Sequence, residues 1–426
     1  MTDLSPIPET SRASAVQEIV TPGGLKAWLV EDYAVPLAAV QFAFRGGASQ
    51  DPIDKPGLAT LLGGLLDEGA GPYDSGAFHE AMDDLAVHLH FSVDRDHLAG
   101  HFQTLTRNLD PAFELMRLAV NEARLEQGPI DRVVSQLVAS LKRELKDPDA
   151  VASRSFRAAA FPGHAYGRAA RGEIETLPKI ARDDLVAMRG RIMARDNLVI
   201  AAVGAIDAAT LAAKLDATFG ALPERASLLA IPSAVMSGVG ERIVTDIDVP
   251  QATIRFGRPG VERDDPDFMA GVVVNHILGG GAFTARLFRE VREKRGLAYS
   301  VYSHLQNYDH AALLVGATST KNERAAESLA VIEEQIADLA ANGPTEDELA
   351  KARKYLIGSY ALRFDTSTKI AGNLLQLQLE ARPTAYLDQR NRLVAAVTLD
   401  DARRAARKML GDGKLLVALA GRPTGM

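Results

Sequence analysis

The chain has 426 residues, 47% hydrophobic and 24% charged, a length beyond what one hydrophobic core usually serves, so two domains are expected. A formal net charge of −7 argues against nucleic acid as a partner. The absence of cysteine excludes a disulfide framework, a thiolate zinc site and a cysteine nucleophile.

The opening stretch, MTDLSPIPETSRASAVQEIV, has neither a basic n-region nor an apolar h-region, so the sequence as written carries no signal peptide and reads as cytoplasmic. A chain trimmed of its signal would read the same and be periplasmic. No apolar run reaches the length of a membrane span. Val35 to Phe44 alternates as a strand, with Val40, Phe42 and Phe44 on one face. Gly57 to Glu68 reads as a helix whose apolar stripe is Leu58, Leu61, Leu62, Leu65 and Leu66; Thr60, Gly63 and Gly64 lie off it. Two adjacent glycines in a helix cost roughly 0.8–1.0 kcal/mol each relative to alanine, so they call for close packing or a former site. Further helices are expected over Ser75–Leu85, Asp110–Glu126 and Pro129–Lys146.

The histidines between these helices imitate a metal motif without its geometry. His97 and His101 have the spacing of a helical zinc pair, but Val93 to Leu105 reads as a strand. Residues four apart on a strand are roughly 13 Å from each other, too far for one metal. His88 and His90 also sit in an alternating run, and all four are expected to be sheet or surface residues. His164, in His-Ala-Tyr-Gly-Arg, is expected to be structural.

The pattern then repeats. Val249-Pro250 to Phe256 copies Val35-Pro36 to Phe42, and Asp400-Asp401 followed by Leu415–Ala420 and Gly421 copies Asp183-Asp184 followed by Leu198–Val203 and Gly204. Both pairs are about half a chain apart, which points to one α+β unit present twice. The units are placed at residues 13–222 and 241–426, joined by a Pro- and Gly-rich linker at 223–240. Each is expected to form a mostly antiparallel sheet with helices on one face. Thr345 and Glu348 form a capping box that opens a helix toward Tyr360.

In the second unit Gly279, Gly280 and Gly281 precede a segment, Phe283 to Arg295, with helical apolar spacing. Gly296 falls at a left-handed C-cap position and Leu297 to Ser303 alternates as a strand. Arg292 thus lies at a helix end and Tyr299 at the following strand start. The two either face one cleft or are a solvated helix residue and a packed ring. Arg286, Arg289 and Arg295 read as a solvated face. The three glycines lack the Lys-Ser/Thr of a phosphate loop and read as permitting close backbone approach, as by an extended peptide.

The sequence resembles the pitrilysin/insulinase-type zinc metallopeptidases. The marks are Phe44-Arg-Gly-Gly47, His164-Ala-Tyr-Gly-Arg168, the Gly279–Ser303 block and Gly343-Pro-Thr-Glu-Asp-Glu-Leu349, spread over nearly the whole chain. GLATLLGGLLDEG stands where that family carries its two zinc histidines and catalytic glutamate, and aligning Gly57 and Ala59 puts Thr60 and Gly64 at the histidines and Gly63 at the base. The family's third ligand, a glutamate on a later helix, lands on Ser140. The resemblance therefore implies no zinc in this chain. The family's arginine–tyrosine pair does match, at Arg292 and Tyr299. What it implies is the non-catalytic subunit of a heterodimeric zinc peptidase. A homologous partner would hold the zinc, and Arg292 and Tyr299 would act on an extended peptide. Peptide processing in pyrroloquinoline quinone biosynthesis is one such setting. The alternative is a structural or peptide-binding protein of the same fold. No Ser/His/Asp or paired-carboxylate arrangement supports a self-sufficient hydrolase.

Overall fold

Two sheets that share a five-strand order organise the protein. The computed structural model describes residues 15–425. The stretch before residue 15, weighed above for a signal and holding the start of the first unit, and Met426 at the end of the second, lie outside the described residues. The first sheet comprises β1 (Gln17–Val20), β2 (Lys26–Glu31), β3 (Leu37–Arg45), β4 (His88–Val93), β5 (His97–Leu105) and β6 (Leu198–Gly204), in the order β1-β2-β6-β3-β5-β4. The second comprises β7 (Arg242–Thr245), β8 (Gln251–Pro259), β9 (Ala298–Asn307), β10 (Ala312–Lys321) and β11 (Leu416–Ala420), in the order β7-β11-β8-β10-β9. Pairing is antiparallel except for β2 with β6 and β7 with β11, so β7-β11-β8-β10-β9 repeats β2-β6-β3-β5-β4.

The duplication extends to side chains. Phe42 pairs across β3–β5 with Gly100, and Phe256 pairs across β8–β10 with Gly316. A Cβ on Gly100 would lie 2.1 Å from Cζ of Phe42, and one on Gly316 would lie 2.3 Å from Cζ of Phe256. In both halves the ring lies over a strand position that only glycine leaves open.

Each sheet carries its own helices on one face, as the sequence implies. Phe42, Phe44, Phe102 and Phe219 centre the first core, and Ile254, Phe256, Leu329 and Val417 the second. The opposite faces are not open to solvent: the halves exchange helices across them. Helix Ser367–Leu379 of the second half lays Ile370, Ala371, Leu374 and Leu375 on Ala43, Ala201 and Val203 of the first sheet. Helix Pro148–Ala160 of the first half, opened by an Asp147 cap with proline at its first position, lays Phe156 and Ala160 on Val315, Leu416 and Ala418 of the second. This is why β3 is buried on both faces and not in alternation. Residues 223–240 hold no helix or strand and run along the seam, where Gln50 clasps Leu229 through both its backbone groups (2.7 and 3.1 Å). No helix among the described residues is long and apolar enough to cross a membrane.

Candidate functional site

The segment between Gly279 and Tyr299 departs from a simple helix. Helix Phe268–Asn275 widens into a π-helical turn over His276–Gly280; a 3-10 turn follows over Ala282–Thr284, and the segment ends as a π-helix over Phe288–Glu293. The continuous helix expected over 283–295 is therefore corrected: its last turns close five residues apart, as in Lys294 N–H donating to Arg289 O at 2.9 Å. The wider turns put Phe288 and Arg292 on one side. Gly296, at φ +58°, is the left-handed stop that the sequence anticipates, and it turns the chain into β9.

Arg292 is held between two rings, 4.8 Å from the centroid of Phe288 and 5.0 Å from that of Tyr299. Its guanidinium has no carboxylate partner among the described residues. Tyr299 is 84% exposed. Its direction comes from a bulge: Thr318 pairs with Val301 and Thr320 with Ala298, so three steps on β9 match two on β10. Thr318 Oγ1 donates to Ser300 O at 2.8 Å and Thr320 Oγ1 to Leu297 O at 2.5 Å, pinning the carbonyls on either side of Tyr299. β9 is the edge strand of its sheet, so the tyrosine stands at an open margin.

The glycines permit close approach, first of all to the chain itself. A Cβ on Gly279 would lie 2.5 Å from the backbone nitrogen of Ser303 in β9, so the turn is pressed onto the strand. Gly280 is exposed and Gly281 half-buried.

Arg286 is not part of a solvated face. It is 7% exposed and bonds Glu348 through Nε and Nη2 (both 2.7 Å) and Asp338 through Nη1 (2.6 Å). Burial pulls its pKa down, but bonds and charge from Glu348, then Asp338, outweigh that and raise it. Glu348 also completes the capping box with Thr345, so one carboxylate joins the 288–293 segment to the start of helix Glu346–Gly358. Arg289 and Arg295 are exposed as expected, beside Glu348 and Glu290 respectively.

The residues that the resemblance sets at metal positions, Thr60, Gly63, Gly64 and Ser140, lie on one short helix with its cap and on helix Gln127–Glu144. The short helix spans Leu58–Gly63, less than expected, with Gly64 as its C-cap; Leu65 and Leu66 continue the buried stripe in a turn. The helix start is intact: buried Asp51 accepts from Gly57 N–H (2.7 Å) and Ala59 N–H (2.8 Å). Burial drives the Asp51 carboxyl up to about 7 despite those bonds. Thr60 Oγ1 donates to Ala170 O at 2.7 Å, and the next residue, Arg171, reaches Ser140 Oγ at 3.2 Å and forms an ion pair with Glu144. A Cβ on Gly63 would lie 2.7 Å from Cγ2 of Val93. These residues do not fit zinc: none of the four carries an imidazole or carboxylate, and a guanidinium stands beside Ser140. Among the described residues no cluster of three or more His, Asp or Glu is placed to hold a metal ion.

The histidines stay on strands. His90 and His101 stack at 4.5 Å, and His101 bonds Gln41 and Ser92. His97 lies between Asp94 and Asp309, 3.5 Å from each. Burial lowers its pKa, but bonds and charge from the two aspartates overcome that and raise it to about 9. His164 accepts from Tyr166 N–H at 3.1 Å and bonds Pro232 O, a structural post between the first half and the seam. The pairings of Arg171, Arg286 and His97 are absent from the sequence reading, because each joins residues far apart in the chain, and Asp309 belongs to the other half.

This architecture matches known proteins along nearly its whole length. The insulinase model (peptidase family M16) matches residues 28–173, and the peptidase M16 inactive domain matches residues 179–356. The chain is 26% identical over 337 residues to the Helicobacter pylori protein called non-peptidase homolog YmxG, covering 79% of this chain and 78% of that one. It is 25% identical over 402 residues to an uncharacterized zinc protease of Streptomyces coelicolor, covering 93% and 87%. The crystal structure of a peptidase M16 inactive domain from Pseudomonas fluorescens superposes with a TM-score of 0.90 at 28% identity, covering 96% of this chain and 98% of that one. The chain belongs to the insulinase family of peptidases, M16, and is an inactive, non-catalytic member of it.

Proposed function

We propose that this chain supplies the arginine–tyrosine half of a two-chain zinc peptidase, with residues 13–222 and 241–426 as its two units and 223–240 as their junction. One observation carries the reading: Arg292, half-buried and paired with no carboxylate among the described residues, lies over the exposed ring of Tyr299 between a π-helix and a bulge, in a chain with Thr60, Gly63, Gly64 and Ser140 where the resemblance expects metal residues. The partner is a homologous subunit that carries the zinc motif and the zinc. That zinc would activate the water that attacks the peptide carbonyl. The Tyr299 hydroxyl donates to the oxygen on which charge develops, and Arg292 holds the peptide backbone. Gly279, Gly280 and Gly281 border the path of the extended peptide. Peptide processing in pyrroloquinoline quinone biosynthesis is one setting, in the cytoplasm or, for a chain made with a signal, the periplasm. The second reading, a structural or peptide-binding protein of the same fold, is favoured by Arg171, which bonds Ser140 and Glu144 as a structural residue would.

The test is to mix the purified chain with a zinc-motif homologue from the same genome. A one-to-one complex by light scattering is expected, with peptidase activity that this chain alone lacks. A mixture with neither a shared complex nor activity refutes the subunit reading.

A further inference from the structure

We infer that the pocket beside Gly281 is a subsite for one large apolar side chain of the bound peptide. The inference rests on the peptide-positioning role given to Arg292 and Tyr299 and adds a preference to it. The pocket has a volume of about 300 Å³. His276 and Ile277 of the π turn and Ala352 of helix Glu346–Gly358 line it, and Phe283 and Thr284 stand at its mouth. The His276 ring is buried and stacked on Tyr355 at 5.0 Å, and burial lowers its pKa, so it presents a neutral wall.

The rim carries no net charge with which to select a charged side chain. Asp347 pairs with Lys351 at 2.7 Å, and Glu348 lies 3.6 Å from Arg289. The backbone is arranged to keep the mouth clear. A Cβ on Gly281 would lie 2.7 Å from the carbonyl oxygen of His276 and 3.2 Å from Oγ1 of Thr284. Ala282 then adopts φ +46°, a left-handed conformation that alanine holds only when its surroundings impose it. That turn leaves Phe283 69% exposed at the lip, where a folded core has no use for it.

The pocket is joined to the candidate site by a ladder of contacts. Phe283 packs edge-on against Phe288 at 5.0 Å, Phe288 lies under Arg292 at 4.8 Å, and Arg292 covers Tyr299 at 5.0 Å. Each step of that ladder is 5.0 Å or less, and an extended peptide advances roughly 3.3 Å per residue, so up to about five residues bridge the pocket and Tyr299. The substrate class is therefore an extended peptide with a leucine, methionine or phenylalanine at that distance from the carbonyl that faces Tyr299.

The test uses the full chain and fluorescein-labelled ten-residue Gly/Ser/Ala peptides, each with one phenylalanine at a successive position, read by fluorescence anisotropy. One phenylalanine position is expected to bind about 10- to 100-fold more tightly than the all-small peptide. Thr284→Trp, which fills the mouth from an exposed position, and Phe283→Ala, which removes the lip, should each abolish that gain. Arg292→Ala should weaken all the peptides alike. Melting curves confirm that each variant is folded. A phenylalanine gain that survives both pocket variants, or no position-specific gain at all, overturns the subsite; a uniform loss in Arg292→Ala would then leave the peptide-positioning reading standing. If no peptide binds the folded wild-type chain, both fall.

Discussion

Arg292 lies across the ring of Tyr299, 5.0 Å from its centroid, and the tyrosine hydroxyl has no hydrogen-bond partner among the described residues. The cation fixes the ring without engaging the hydroxyl, which leaves that hydroxyl free for a substrate oxygen. In the two-chain complex Tyr299→Phe should keep assembly and melting temperature and lower kcat by roughly 100- to 1000-fold, the usual loss for one oxyanion donor. Arg292→Ala should act mainly on KM. An unchanged kcat in a well-folded Tyr299→Phe complex removes the catalytic role.

The two adjacent glycines of the first half should behave differently. Gly63→Ala drives a Cβ to within 2.7 Å of Val93, a β-branched side chain with little freedom to move, so a loss of about 1–2 kcal/mol is expected even after the helix-propensity gain. Gly64→Ala meets Val133 at an easier 3.4 Å and should be neutral or stabilising by less than about 1 kcal/mol. Urea titration of the two variants decides. For the same reason the graft Thr60→His, Gly63→Glu, Gly64→His and Ser140→Glu should not take up stoichiometric zinc while Arg171 remains. Metal analysis of the purified graft checks it.

Arg286→Ala should destabilise the protein by about 1–3 kcal/mol, because the half-buried Glu348 loses two charge-assisted bonds while keeping Thr345 and the more distant Arg289. The Glu348 carboxyl is pushed up by burial, but Arg286 and Thr345 prevail and hold it below the ordinary range. Its contribution is thus present above the ordinary glutamate pKa and fades as pH falls through the depressed value. Denaturation of wild type and variant should converge in acid.

His97 makes the opposite prediction. Its pKa is raised to about 9 by Asp309 and Asp94, whose own carboxyls are held low, and Arg45 shares Asp309 at 3.1 Å. A raised histidine pKa stabilises fully below about 6.5 and loses its effect as pH rises through about 9. Relative to His97→Gln, the wild type should lose up to about 3 kcal/mol between pH 6 and pH 10, at 1.36 kcal/mol per pKa unit. Parallel stability curves for the two proteins across that range would contradict it.

What the sequence reveals is local or periodic. The Thr345–Glu348 box is written in four consecutive residues, and the structure forms it. The repeat shows because strand pairs such as Val40–Phe42 and Ile254–Phe256 keep their spacing under the same packing demand. Arg292 and Tyr299 are found through a motif, and their contact follows from a short turn between them. Arg286 is misread because its partners, Asp338 and Glu348, lie on other helices, and charge alone does not tell a solvated arginine from a buried one. The stripe from Leu58 to Leu66 predicts burial correctly but not helix length, because a turn after Gly63 buries Leu65 and Leu66 equally well. The second face of each sheet is invisible because its cover comes from the other half.

That reciprocal cover bears on how such a chain arises and breaks. Helices Pro148–Ala160 and Ser367–Leu379 occupy matching places in the two copies, and each seals the sheet of the other. Two separate half-length chains would make the same contacts as a domain-swapped dimer, with an approximate two-fold axis between them. The single polypeptide holds that exchange of helices within one chain. A protease nick in 223–240 should therefore yield fragments that stay clasped, while either fragment alone carries a bare sheet and an orphaned apolar helix. The seam in the gene and the seam in the folded body are different lines.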